Sequence, residues 1–204
     1  MENTNDIYTA PATLTGNKLK LVPASLEHLD DLSENLPHPS AWHGLHWGIK
    51  TKADIEKVML ERAVKARKEK TGNCFAMIEQ STGKAVGMSN YLHLDRRHKC
   101  LEIGATWVGH KYQKTFVNTE AKLLMLTYAF ETIGVVRVEF RVDSLNFNSQ
   151  RAVLRLGAKF EGELRQTAIL PDGRKRDYRI YSILDSEWPS CKQNLKQYLE
   201  KKYV

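Results

Sequence analysis

Cysteine is scarce, and nothing in its pattern pairs it. Cys74, Cys100 and Cys191 are odd in number, widely spaced and free of any Cys-x-x-Cys motif, which argues against a disulfide framework or a zinc site, so no metal is expected. A reducing, cytoplasmic setting is the natural expectation. No run approaches the roughly 18 apolar residues of a membrane span, and the opening MENTNDIYTAPATLTGN carries no apolar core, so no membrane partner is expected. Internal repeats and low-complexity linkers are also missing. Between Lys111 and Thr119 there is no glycine to let a backbone wrap a phosphate. Acidic residues are the minority: 24 Asp plus Glu face 31 Lys plus Arg, a formal charge of +7. Scattered positive charge attracts any polyanion, but no recognised binding motif accompanies it, and nucleic acid is not an expected partner.

What is present centres on Leu101 to Glu131. Leu101, Ile103, Ala105 and Trp107 alternate with Glu102, Gly104, Thr106 and Val108, the period of a strand with two distinct faces. A polar loop, GHKYQKTFVN, leads to a helix capped by Asn118 or Thr119, whose apolar residues cover two faces and predict firm packing on a sheet. The helix N-terminus, with unpaired N–H groups and a positive partial charge, suits a phosphate. Many α/β proteins contain such a unit without any ligand.

The rest of the chain fits one domain: residues 1–16 as a loose arm, residues 17–204 as the folded unit. Lys18 to Val22 predicts a strand, Ser25 to Leu36 a helix, and Thr51 to Lys70 a second helix. Between them, Trp42, His43, His46 and Trp47 crowd one loop, either a substrate-facing rim or a structural lid or partner contact. Cys74 to Glu79 and Ala85 to Leu94 predict a hairpin. Val136 to Val142 follows the long helix, so a right-handed crossover sets it parallel to the Ile103 strand, with ligands expected where both strands end. Asn146 caps a short helix that carries Ser149 and Val153 on one face. A long hairpin, turned at Pro171-Asp172-Gly173, and a final helix close the chain.

Four segments in this order, LEIGATWV, NTEAKLLMLTYAFE, NFNSQRAVLRLGAKFEG and LPDGRKRDYRIYSILDSEWP, resemble the GCN5-related N-acetyltransferases (GNAT), in the RimJ/RimL-like branch of ribosomal-protein N-terminal acetyltransferases. The resemblance implies an α/β (α+β) GNAT fold: a mixed, mostly antiparallel central sheet with a splayed parallel strand pair, flanked by helices. It implies an acetyl-CoA cleft between those two strands. Pantetheine would pair near Trp107 and Val108, and pyrophosphate would sit on Gln113, Lys114, Thr115, Phe116, Val117, Asn118 and the helix start at Thr119. Gln113 matches the head of the family's loop pattern, whereas Phe116 and Asn118 stand where the family has small residues.

Acetyl transfer needs a neutral amine, a stabilised oxyanion and a protonated leaving thiolate. The resemblance points to Glu102 as base, although a strand Glu can equally be a solvated one. His110 is a second candidate base. The Val108 N–H is the candidate oxyanion donor. Val153 replaces a family tyrosine, so Ser149 becomes the candidate acid for the thiolate, with Asn146 on the pantetheine amide. Trp42, His43, Trp47 and Tyr181 are candidate substrate contacts. The expected activity is N-acetyl transfer from acetyl-CoA to a primary amine, a protein N-terminus or a small molecule, by direct attack in a ternary complex. The alternative is a degenerate acyl-CoA-fold module that binds or senses without turnover.

Overall fold

The predicted strands and helices assemble in a computed structural model that describes residues 13–36, 51–59, 63, 65, 68–69, 72–170 and 172–203. The strands are β1 (Leu14–Thr15), β2 (Leu19–Pro23), β3 (Asn73–Glu79), β4 (Ala85–Asp95), β5 (Cys100–Val108), β6 (Arg137–Asp143), β7 (Lys159–Ile169) and β8 (Lys175–Leu184). They form one sheet in the order β1-β2-β3-β4-β5-β6-β8-β7. Neighbours are antiparallel except β5 and β6, which the intervening helix forces parallel. The helices are α1 (Leu29–Glu34), α2 (Lys52–Met59), α3 (Phe116–Thr127), α4 (Phe147–Arg155) and α5 (Trp188–Tyr203). Among the described residues no helix is long and apolar enough to cross a membrane.

Each face of the sheet has its own cover. On one face, Tyr91, Leu101, Ile103, Val138 and Phe140 pack beneath Val117, Ala121 and Met125 of α3, with Trp188 and Leu195 of α5 beside them. On the other, Cys74, Ala76, Met88 and Trp107 pack beneath Leu32 of α1 and Ile55 and Val58 of α2. That second cover stops short. Over β6 and β8 the same face carries Glu139, Arg141, Asp143, Arg176 and Tyr178, because strand alternation sends Val138, Phe140 and Val142 to the other side.

Two expectations change. Leu14 and Thr15 are not part of a loose arm: they pair with Leu21 and Lys20, and Leu14 joins the main core. The buried Glu120 carboxylate fastens this end of the chain by accepting from the backbone N–H groups of Asn17 (2.5 Å) and Lys18 (3.0 Å). The long helix starts earlier than Asn118, because Thr115 is its cap and accepts from the Val117 N–H at 3.4 Å. It ends in a π-helical turn, Tyr128–Ile133, closed by Gly134 in the left-handed conformation at φ 74°. Ser25 and His28 form a capping box ahead of α1, with the Ser25 N–H donating to His28 Nδ1 at 3.1 Å.

Candidate active site

β5 and β6 are partners only from Cys100 to Glu102, opposite Arg137 to Glu139. Beyond Glu102 they part. Gly104, Ala105 and Thr106 are therefore partly exposed although β5 lies in the middle of the sheet. The Gly109 N–H donates to Val86 of β4 at 2.8 Å. By strand alternation the Val108 N–H and C=O point the opposite way, to the edge that β6 has left. An extended ligand can add there as a strand does.

A bulge shapes this edge. Met88 opposes Trp107 and Asn90 opposes Gly104, so β5 holds one extra residue, with Ala105 at φ 50°. Asn90 Nδ2 braces the bulge by donating to the carbonyls of Gly104 (3.3 Å) and Ala105 (3.2 Å). The extra residue flips the alternation that the sequence predicts. Trp107 packs with the second core, whereas Leu101 and Ile103 lie in the first, and Thr106 and Val108 turn toward α3.

At the far end of the edge lies the candidate phosphate loop. A short 3-10 turn, His110–Tyr112, is followed by Gln113 and Lys114, both exposed, with Lys114 taking the left-handed conformation at φ 62°. The backbone thus makes its turn at Lys114 without a glycine. Phe116, Val117 and Asn118 lie in the first turn of α3 rather than in the loop, and Val117 and Thr119 are buried. First-turn N–H groups have no partner within their helix, which suits an anion.

At the near end, Glu102 is almost covered, with 9% of its side chain exposed. Its carboxylate is 2.9 Å from His93 Nδ1 and 3.4 Å from Arg141 Nε, and Arg141 in turn donates to Glu139 at 2.7 Å. His93, which sequence reasoning missed, lies on β4 at φ 50° with its ring largely exposed. The hydrogen bond to Glu102 raises the His93 pKa. Gly104 is what leaves the carboxylate room, since a Cβ there would sit 2.5 Å from Glu102 Oε1. Gly104→Ala is therefore expected to displace the carboxylate and so to lower the His93 pKa, which an NMR titration of the imidazole checks.

His110 does not join Glu102: eight positions of largely extended chain separate them, on the order of 20 Å. Tyr181 is also corrected. It is 3% exposed in the main core against Phe160, because its side chain follows the apolar face of β8. Tyr178, on the opposite face, stands instead beside Arg176 with the guanidinium 4.4 Å from its ring centre. Trp42, His43 and Trp47 lie outside the described residues. Asn146 accepts from the Ser149 N–H at 3.0 Å, and the half-buried Ser149 lies in the first turn of α4, just past the end of β6. Val153 faces the main core one turn later.

Residues 18–159 match the acetyltransferase (GNAT) domain family. An uncharacterized N-acetyltransferase, YoaA, of Bacillus subtilis (strain 168) is 26% identical over 141 residues, 68% of this chain and 78% of YoaA. The crystal structure of a GCN5-related N-acetyltransferase from Brucella melitensis superposes with a TM-score of 0.81 at 30% identity, covering 93% of this chain and 86% of that one. RimL, a ribosomal L7/L12 alpha-N-protein acetyltransferase solved in complex with coenzyme A, shares the fold with a TM-score of 0.71 at 17% identity, over 85% of this chain and 98% of its own.

Proposed function

Because the chain belongs to the GNAT acetyltransferase family, we propose that it moves an acetyl group from acetyl-CoA to a primary amine, a protein N-terminus or a small molecule, by direct attack in a ternary complex. The observation that carries this is the vacated edge of β5 from Ile103 to Val108, running between a helix N-terminus at one end and Glu102 at the other. The donor supplies a thioester carbonyl. Val108 pairs with pantetheine and offers its N–H to the oxyanion, and the backbone at Trp107 lies next to it. Gln113, Lys114, Thr115 and the first turn from Phe116 to Thr119 hold the pyrophosphate. Asn146 receives the pantetheine amide and Ser149 protonates the thiolate.

The amine arrives from the other face of the sheet, where the apolar cover ends. Glu102 takes its proton there, and His93, more exposed, passes the proton to water. RimL acts on a ribosomal-protein N-terminus, which makes a protein N-terminus the first acceptor to try.

Calorimetry with acetyl-CoA, CoA and ATP tests the cleft. Saturable binding that prefers acetyl-CoA to ATP is expected, followed by amine-dependent release of CoA thiol. Equal weak binding to all three would mean that the basic surface merely attracts phosphates. Tight binding without turnover on any amine would favour a degenerate module, for which Val153 in place of a phenol is the motive.

A further inference from the structure

One charged side chain has no part in donor or acceptor binding as described. Lys122 lies on the inner face of α3 and is 5% exposed. Its amine donates to Ser89 Oγ of β4 at 2.8 Å and to Thr106 Oγ1 of β5 at 2.5 Å, and the two hydroxyl oxygens are 2.7 Å apart. No carboxylate acts on it among the described residues: burial alone lowers its pKa to about 7. The other groups brought to this face are engaged elsewhere. Tyr91 donates to the Met125 carbonyl at 2.6 Å, and Arg155 of α4 reaches Thr119 at 3.4 Å and the Tyr198 ring.

The bulge at Ala105 is what turns Thr106 onto this face. Ser89 and Lys122 are buried, but Thr106 is partly exposed on the stretch of β5 that β6 has left. Thr106 thus borders the cleft, and its hydroxyl is held between a basic amine and a second hydroxyl. That is the constellation of nucleophile, base and orienting group found where hydroxyls are activated for acyl transfer.

We propose that Thr106 is an acyl-accepting nucleophile of the cleft, with Lys122 as its base and Ser89 as its anchor, and that the protein slowly hydrolyses an acyl-CoA thioester when no amine is bound. This rests on the cleft being an acyl-CoA site. Thr106 Oγ1 bonds to the thioester carbonyl carbon as the C–S bond breaks. Lys122 takes the hydroxyl proton and returns it to the departing thiolate, giving CoA thiol and an acyl ester on Thr106. Lys122 then takes a proton from water, the hydroxide cleaves the ester, and the proton returns to Thr106, releasing the carboxylic acid. The net reaction consumes only the thioester and water.

The test incubates the full chain with acetyl-CoA and no amine, and follows free thiol and acetate. Release is expected in the wild type, rising with pH through about 7 as Lys122 loses its proton. Thr106→Val is expected to lower it by about a hundredfold, Thr106→Ser to retain it, and Lys122→Met to lose it. Acid-quenched protein is expected to carry an acetyl ester on the peptide containing Thr106. Unchanged release from Thr106→Val overturns the proposal, as does a stable acetyl amide on Lys122 with no ester at Thr106. Should Lys122→Met fail to fold, the Val and Ser variants decide alone. Binding of acetyl-CoA without release overturns only this proposal, whereas absence of binding overturns the cleft assignment as well.

Discussion

Glu102→Gln is expected to lower the turnover of the proposed amine acetylation by about a hundredfold or more and to leave acetyl-CoA affinity unchanged. The carboxylate lies where β5 and β6 part, nearly covered, on the face away from α3. It is therefore placed to meet an amine coming from that side, not to touch the donor's phosphates. Gln keeps the shape and removes the proton acceptor. A base role also dictates how the defect depends on pH. An N-terminal amine has an ordinary pKa of about 8, so above that value solvent supplies neutral amine and the gap between variant and wild type narrows. A purely structural Glu102 predicts a gap that stays constant with pH. His93→Gln is expected to cost less, about tenfold, since it removes the exit for the proton and not its first acceptor. Rate profiles of both variants from neutral to alkaline pH distinguish the cases, and full turnover by Glu102→Gln would sink the assignment.

The frame of this site was legible in the sequence because each part of it had a local signal. Alternation marked β5, and the strand, helix and strand sequence forced the parallel pair and hence the place where it splays. Asn146 announced its helix by its position before an amphipathic run. Most of the features that escaped depend on neighbours distant in sequence. The bulge at Ala105 follows Gly104, but it is set by the pairing with β4 and braced from there by Asn90, so the flip of Trp107 to the second core did not follow from the alternation in LEIGATWV. His93 becomes a partner of Glu102 only through strand pairing. Lys122 becomes an enclosed amine only through Ser89 of β4 and Thr106 of β5. Thr115 is a local exception: Phe116 and Val117 read as loop, yet the Val117 N–H is what the threonine side chain accepts from.

The second large effect falls on stability. Asp143→Ala is expected to destabilise the fold by about 3–5 kcal/mol, the cost of breaking a buried ion pair from one side. Asp143 is 1% exposed and accepts from Arg174 at 2.6 Å, and Arg176, itself 4% exposed, lies 3.0 Å away. Without the carboxylate, the Arg176 charge stays buried and loses the acidic neighbour 3.0 Å away. The same residue also shapes the site: its Oδ1 accepts from the Leu145 N–H at 2.9 Å and its carbonyl from Gln150 at 3.2 Å, which sets the turn from β6 into α4. Asn146 and Ser149 therefore lose their placement together with the stability. For a chain of this length, 3 kcal/mol corresponds to roughly 6–12 °C in Tm, measurable by thermal unfolding. The pH dependence has a definite sign. Burial pushes the Asp143 carboxyl up, but the Arg174 hydrogen bond, the Leu145 N–H and the Arg176 charge outweigh it and hold the pKa below the ordinary value. A depressed carboxylate contributes its full stability above the unfolded pKa of about 3.9 and loses it as pH falls through the lower folded value. The stability gap between wild type and Asp143→Asn should thus be constant from neutral pH down to about 4 and close below it. A gap that instead widened on acidification would show that Asp143 is already protonated in the fold, and that the two arginines are held by something else.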